Sequence, residues 1–125
     1  MRTVIETGGA PAAVGPYSQA IVSGNCVWVA GQIPLNPETG AMVDGGIEEQ
    51  TARALRNLAA VLEAAGSGMD RVLRATVYLV DLGDFEKMNR VYAEFFPAAP
   101  PARVCVEVSK LPKGARVEVD AVAEV

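Results

Sequence analysis

The sequence predicts an α+β fold, a six-stranded mixed sheet with two helices on one face. Three observations predict it. Segments such as Arg103–Val108 and Val117–Ala121 alternate with period two, as half-buried strands do. Two other segments, Ile47–Ala65 and Phe85–Phe96, repeat apolar residues at helical spacing. Glycine- and proline-rich stretches separate these runs, so the order reads strand, strand pair, helix, strand, helix, strand, strand.

Thr3-Val4-Ile5 opens the chain as a short strand, and Gly8–Pro16 is too rich in Gly and Pro for regular structure. Tyr17–Ser23 and Cys26–Gln32 flank Gly24-Asn25, a two-residue turn signal, and read as a hairpin. The second arm is nearly all apolar, which suits a strand covered on both faces. Asn36–Gly40 is a turn, and Asp44-Gly45-Gly46 introduces the first helix. Ile47, Ala54, Leu55, Leu58, Val61, Leu62 and Ala65 form its apolar stripe, with Glu48 and Glu49 in the first turn and Gly66 suited to the stop. Val72–Val80 is a strand rich in β-branched residues. Asp84 is placed to cap the second helix, whose apolar side is Phe85, Met88, Val91, Tyr92 and Phe95. Pro97 stops that helix, and Pro100-Pro101 forces an extended start to the Arg103 strand. After Ser109–Gly114 the final strand runs from Ala115 to Val125.

Each helix lies between strands, so right-handed crossovers make the joined strands parallel. Nothing in the chain covers the face opposite the helices. Val27, Val29, Leu73, Val77 and Val104 are more than two helices can hide, and a homo-oligomer is expected to bury the remainder.

A chain of 125 residues, 50% hydrophobic, is one domain spanning 1–125 with a sizeable core. With 15 acidic against 11 scattered basic residues and a net charge of −4, phosphate backbones are a poor partner. No apolar run approaches the roughly 20 residues of a membrane span, and Met1–Glu6 lacks the apolar stretch of a signal peptide, so a cytoplasmic location is the default expectation. Cys26 and Cys105 are too few for a disulfide framework and lack metal-ligand spacing. There is no histidine. That removes Ser-His-Asp and Cys-His nucleophiles, HExxH zinc sites and any imidazole base.

What remains for chemistry is Arg, Glu, Asp, Tyr, Lys, backbone and water. Arg103, Cys105 and Glu107 share one face of an extended chain, and Glu118 and Asp120 share a face of another. Charges in mid-strand have two readings. Arg103 pairs with Asp120 or Glu107, and Glu118 with Arg116 or Arg74, on a solvated surface. Alternatively a fixed cation and a fixed carboxylate form a site on rigid strands. Cys105 has no base beside it to lower its pKa and reads as a packing residue.

Four motifs in order then set the chain beside a known family. Gly15-Pro16-Tyr17-Ser18-Gln19-Ala20, Gly31-Gln32-Ile33-Pro34, Pro101–Val108, and Leu111-Pro112 followed by Val117-Glu118-Val119 resemble the reactive intermediate deaminase (Rid, YjgF or L-PSP) family over essentially the whole chain. The resemblance implies a chorismate mutase-like (YjgF-type) fold, assembled as a homotrimer around a barrel-like centre, with sites in clefts between subunits. It implies hydrolysis of enamine/imine intermediates, such as 2-aminoacrylate and 2-iminopropanoate, to 2-oxo acids and ammonia. It places Arg103 and Glu118 as catalytic residues with Tyr17, and Arg103, Tyr17, Gly31, Asn89 and Cys105 around the substrate. Val104 departs from the small hydroxyl residue many active members carry there, and Pro97–Pro101 is short beside some relatives, which bears on the cleft's width.

The residues suit that chemistry. Arginine offers a planar fork to a carboxylate and stays charged. A carboxyl such as Glu118 can take a proton from water and return it to the departing nitrogen, and Tyr17 can orient the imine or the water. Imines hydrolyse readily on their own, so no metal or cofactor is required. Two rivals remain: a non-catalytic trimer that binds small carboxylates, and an endoribonuclease or translation inhibitor, which the acidic balance disfavours. The final two strands either pair as a local hairpin, with Cys105 opposite Glu118, or separate so that the last strand lies between earlier ones, as the resemblance implies.

Overall fold

A computed structural model describes residues 1–125. The elements are β1 (Arg2–Ile5), β2 (Ala20–Ser23), β3 (Cys26–Gln32), α1 (Ile47–Ala64), β4 (Val72–Leu79), α2 (Phe85–Phe95), β5 (Ala102–Glu107) and β6 (Val117–Glu124). All six strands form one sheet in the order β1-β2-β3-β6-β4-β5. Every pairing is antiparallel except β4 with β5. The last strand therefore lies between β3 and β4, and the local hairpin does not form. Cys105 sits opposite Val77, and Glu118 opposite Tyr78. The helix-joined strands β4 and β5 are parallel, as the crossover rule requires.

Local chemistry sets the boundaries. Gly24 has φ +60°, which the first central position of a type II′ hairpin turn needs. At the start of α1 the Glu49 Oε1 accepts from the Gly46 N–H at 2.7 Å. At its end Gly66 takes φ +82°, while the Ser67 N–H reaches the Leu62 carbonyl and the Gly66 N–H the Glu63 carbonyl. That pair of bonds is a Schellman stop. Asp84 does not cap α2 with its side chain. Its carboxylate is taken instead by Arg116, at 2.9 Å, the one salt bridge in the chain. Arg116 Nη2 donates to both carboxylate oxygens, at 3.1 and 2.9 Å, and this pairing of two charged groups takes the place of the cap bond.

The core fills the space between the helices and one sheet face. Leu55, Leu58, Val61 and Leu62 of α1 and Met88 of α2 lie over Val27, Val77, Val117 and Val119, all fully buried. The expectation that β3 is covered on both faces fails within one chain: Val27 and Val29 are buried, but Trp28 between them is 55% exposed. Leu73 and Val104 also stay exposed, whereas Val27, Val29 and Val77 do fit beneath the helices. Phe85 likewise leaves the core side of α2 and is exposed. No helix is long and apolar enough to cross a membrane.

Polar residues inside the apolar stripe of α1 tie the loops down. Asn57 is fully buried. Its Nδ2 donates to the carbonyls of Ile33 (3.2 Å) and Leu35 (2.9 Å), and its Oδ1 accepts from Arg53 Nε (3.1 Å). The segment leaving β3 is thereby fixed to the helix. Asn57→Ala strands those carbonyls without donors, and a loss of about 2–3 kcal/mol in urea unfolding is expected.

Candidate functional site

Arg103 projects from edge strand β5 on the helix side of the sheet. Its Nη1 donates to Asn89 Oδ1 at 2.8 Å. Its Cζ lies 4.7 Å from the Tyr92 ring centroid and 5.5 Å from that of Phe85. No carboxylate is within ion-pair distance. Both expected pairings of this arginine are absent, and Glu107 instead accepts from the Leu82 N–H at 2.9 Å. With Asn89, Tyr92, Phe96 and Pro100-Pro101, Arg103 lines a cavity of about 320 Å³. Cys105, two residues on, turns the same way and packs against the core. Burial pushes its thiol pKa up, with nearby Arg103 pulling the other way. A neutral thiol is a poor nucleophile, which agrees with a packing role.

Glu118 points to the other side. It lines a cleft of about 410 Å³ with Tyr17, Gly31, Gln32, Ile33 and Lys113. Between β3 and β6 the register slips from Val29↔Ala121 to Gln32↔Val119, a bulge that carries Ala30 and Gly31. A Cβ at residue 31 would collide with Glu118 Oε2 and lie 2.8 Å from its Cδ. Gly31 is glycine because the carboxyl occupies the space a side chain would take. Burial raises the Glu118 pKa above 4.5, and the Asp120 carboxylate on the same face raises it further. Neither Arg116 nor Arg74 comes within ion-pair distance to offset this. Asp120 is itself held by Tyr78, whose hydroxyl donates to Oδ2 at 2.9 Å. Burial and that hydrogen bond raise the Tyr78 pKa.

Tyr17 is half exposed, on a loop wound about Gln19. The buried Gln19 side chain accepts from the Thr7 N–H at 2.7 Å and donates to the carbonyls of Thr7 (3.1 Å) and Pro11 (2.8 Å). Gly15, at φ +144°, takes a backbone conformation that a residue with a side chain rarely adopts, two residues before the Tyr17 ring. Sequence reading singled out Tyr17 but not Gln19, nor Lys113, which holds a left-handed φ of +56° at the rim of the Glu118 cleft.

One chain thus brings Tyr17, Gly31 and Glu118 together, and Arg103 and Asn89 together, but not the two sets. Register explains it. Residues paired across strands point to the same face. Arg103 pairs with Ala75, and Ala75 with buried Ala121 on the helix side. Val106 pairs with Tyr78, and Tyr78 with Glu118 on the open side. For the same reason Arg103 cannot meet Asp120.

The raised Glu118 pKa has a consequence for stability. Between pH 4.5 and the folded pKa the native state holds more protons than the unfolded state, so stability falls as pH rises through that window. Glu118→Gln is expected to be more stable than the parent at pH 7, with the difference fading as pH drops below 4.5. Thermal melts across pH 4–8 check this.

Comparison with known proteins places the chain. A RutC family protein of Pyrococcus horikoshii is 54% identical over 98% of this chain and 98% of its own. The 2-iminobutanoate/2-iminopropanoate deaminase of Homo sapiens is 42% identical over 98% of this chain and 90% of its own. The crystal structure of E. coli TdcF with bound serine superposes with a TM-score of 0.94 at 39% identity, covering 98% of both chains. The family model described as Endoribonuclease L-PSP matches residues 7–125. With that match, and a sheet of six strands under two helices, the chain belongs to the L-PSP family that its motifs resemble.

Proposed function

We propose that this protein hydrolyses small 2-imino acids, and their enamine tautomers, to 2-oxo acids and ammonia. The observation that carries the reading is Arg103: a half-buried guanidinium held by an amide and two rings, with its charge not neutralised. Such a group is suited to a ligand's carboxylate. The name of the human relative and the serine bound to the E. coli relative support a small carboxylate-bearing substrate.

The opposed faces of Arg103 and Glu118 suit a site completed between subunits, in which one chain's guanidinium meets the Glu118 cleft of its neighbour. Exposed Trp28, Val104 and Val106 on the open face supply the apolar surface for a homotrimer. In that site the substrate carboxylate rests on the arginine fork, and the imine carbon faces Glu118. As a water oxygen bonds to that carbon, the Glu118 carboxylate takes a water proton, the C=N pair moves to nitrogen, and Glu118 hands the proton to that nitrogen, which gives the carbinolamine. In its collapse Glu118 takes the hydroxyl proton as the carbonyl forms and passes it to the nitrogen, so that the C–N bond breaks and ammonia departs. One water is consumed and no electrons are exchanged. Burial and the Asp120 charge raise the Glu118 pKa, which makes its carboxylate a stronger base for the water proton that it then returns. Tyr17 lines the same cleft and is placed to hydrogen-bond the imine or the water.

Coupling this protein to a serine dehydratase that releases 2-aminoacrylate tests the reading. Pyruvate is expected to appear faster than by spontaneous hydrolysis, and Arg103→Ala to abolish the gain. Glu118→Ala is expected to lower turnover by about 10²–10⁴-fold while 2-oxo acid binding persists. Binding with no turnover in either protein would favour the rival, a non-catalytic carboxylate-binding trimer, to which the serine-bound relative also lends itself. Trp28→Asp is expected to shift the protein from trimer to monomer in light scattering and to lose turnover with it.

A further inference from the structure

We infer that Phe85 and Tyr92 are positioning residues for Arg103: their rings take the place of a carboxylate partner, so that the guanidinium is held in orientation while its charge stays available. The inference rests on the carboxylate-binding reading of Arg103 given above and deepens it.

Phe85, Asn89 and Tyr92 stand at i, i+4 and i+7 of α2, one stripe facing β5, and all three contact Arg103. The stripe runs ring, amide, ring. Each member attracts a cation, and none carries a charge that would cancel it. The chain has 15 acidic residues, yet none stands within ion-pair distance of this guanidinium. A carboxylate would hold it as firmly, but an arriving anion would then have to displace that carboxylate.

The two rings differ. Tyr92 is buried and lies against Phe96, centroids 4.6 Å apart, and so forms a fixed floor. Phe85 is 37% exposed and forms a looser wall. The Tyr92 hydroxyl is buried without a hydrogen-bond partner, so it contributes nothing to the grip; the ring face does. This makes the tyrosine replaceable by phenylalanine but not by an aliphatic residue. Asn89 admits the complementary change. Aspartate has its shape and keeps the hydrogen bond, but it neutralises the guanidinium.

The test measures pyruvate affinity by calorimetry and steady-state kinetics on the whole protein, with light scattering to confirm assembly. Tyr92→Phe is expected to match the parent within about twofold. Tyr92→Leu and Phe85→Leu are expected to weaken pyruvate binding and raise KM by about three- to tenfold, the cost of ordering one long side chain at binding, with kcat little changed. Asn89→Asp is expected to lose pyruvate binding without loss of fold. Arginine side-chain NMR of the ligand-free protein gives a readout that does not depend on the activity. Slow rotation of the Arg103 guanidinium is expected in the parent and in Tyr92→Phe, and fast rotation in Tyr92→Leu and Phe85→Leu. Equal rotation in all four proteins would overturn the inference, as would Tyr92→Phe behaving like Tyr92→Leu. If the NMR result holds but the parent binds no 2-oxo acid, it is the carboxylate-binding reading that fails, and the ring-held arginine stands.

Discussion

Six strands share one sheet because β6 pairs antiparallel with both β3 and β4. Its backbone bonds on two sides, and its side chains serve two environments. Val117, Val119, Ala121 and Ala123 lie in the core, while Glu118 and Asp120 face the open side. A slip of one residue would drive both carboxylates under the helices and bring the valines out. Burying an unpaired carboxylate costs far more than the few kcal/mol that a single strand pairing contributes, so the register is locked. The position of Glu118 is therefore a by-product of core packing. The bulge at Ala30-Gly31 then opens the room its carboxyl occupies.

The same sheet explains why charge is distributed as it is. Arg116 begins the approach to β6 and gives its charge to Asp84, fixing the start of α2 to the central strand. Arg103, on the parallel edge strand, gives its charge to nothing. One guanidinium is structural and spent, and the other is restrained by neutral groups. The half-buried Glu118 is likewise left without a cation. Folded structures tolerate such unbalanced groups where the rest of the packing over-determines them, and both here sit on strands rather than on loops.

Much of this was legible in the residues. The helix at Ile47 carried its period, its first-turn acids and its Gly66 stop on the surface of the sequence, and the alternation of β6 separated its core valines from Glu118 and Asp120. In β5 the alternation sorted the residues but not the sides, since Arg103 and Cys105 face the helices while Val104 and Val106 are exposed. Four things were hidden. The place of β6 depends on long-range pairing that no local pattern encodes. Asp84 stood at a cap position, but a distant arginine outcompeted the local amide. Gln19 and Asn57 bind loops to the core through carbonyls far away in sequence, and only polar residues standing where apolar ones belong hinted at them. The register that separates Arg103 from Glu118 was also out of reach, because it runs through β4, a strand that carries neither.

The central position of β6 has a consequence for biosynthesis. The strand that joins the two sides of the sheet is the last to leave the ribosome. Until it does, β1–β3 can form only a meander and β4–α2–β5 only a crossover unit, each with one sheet edge unsatisfied. The nascent chain therefore waits, with the facing edges of β3 and β4 unpaired, for β6 to be translated. A break in synthesis shortly before Val117 would release a chain containing most of the residues of the fold and none of its cohesion.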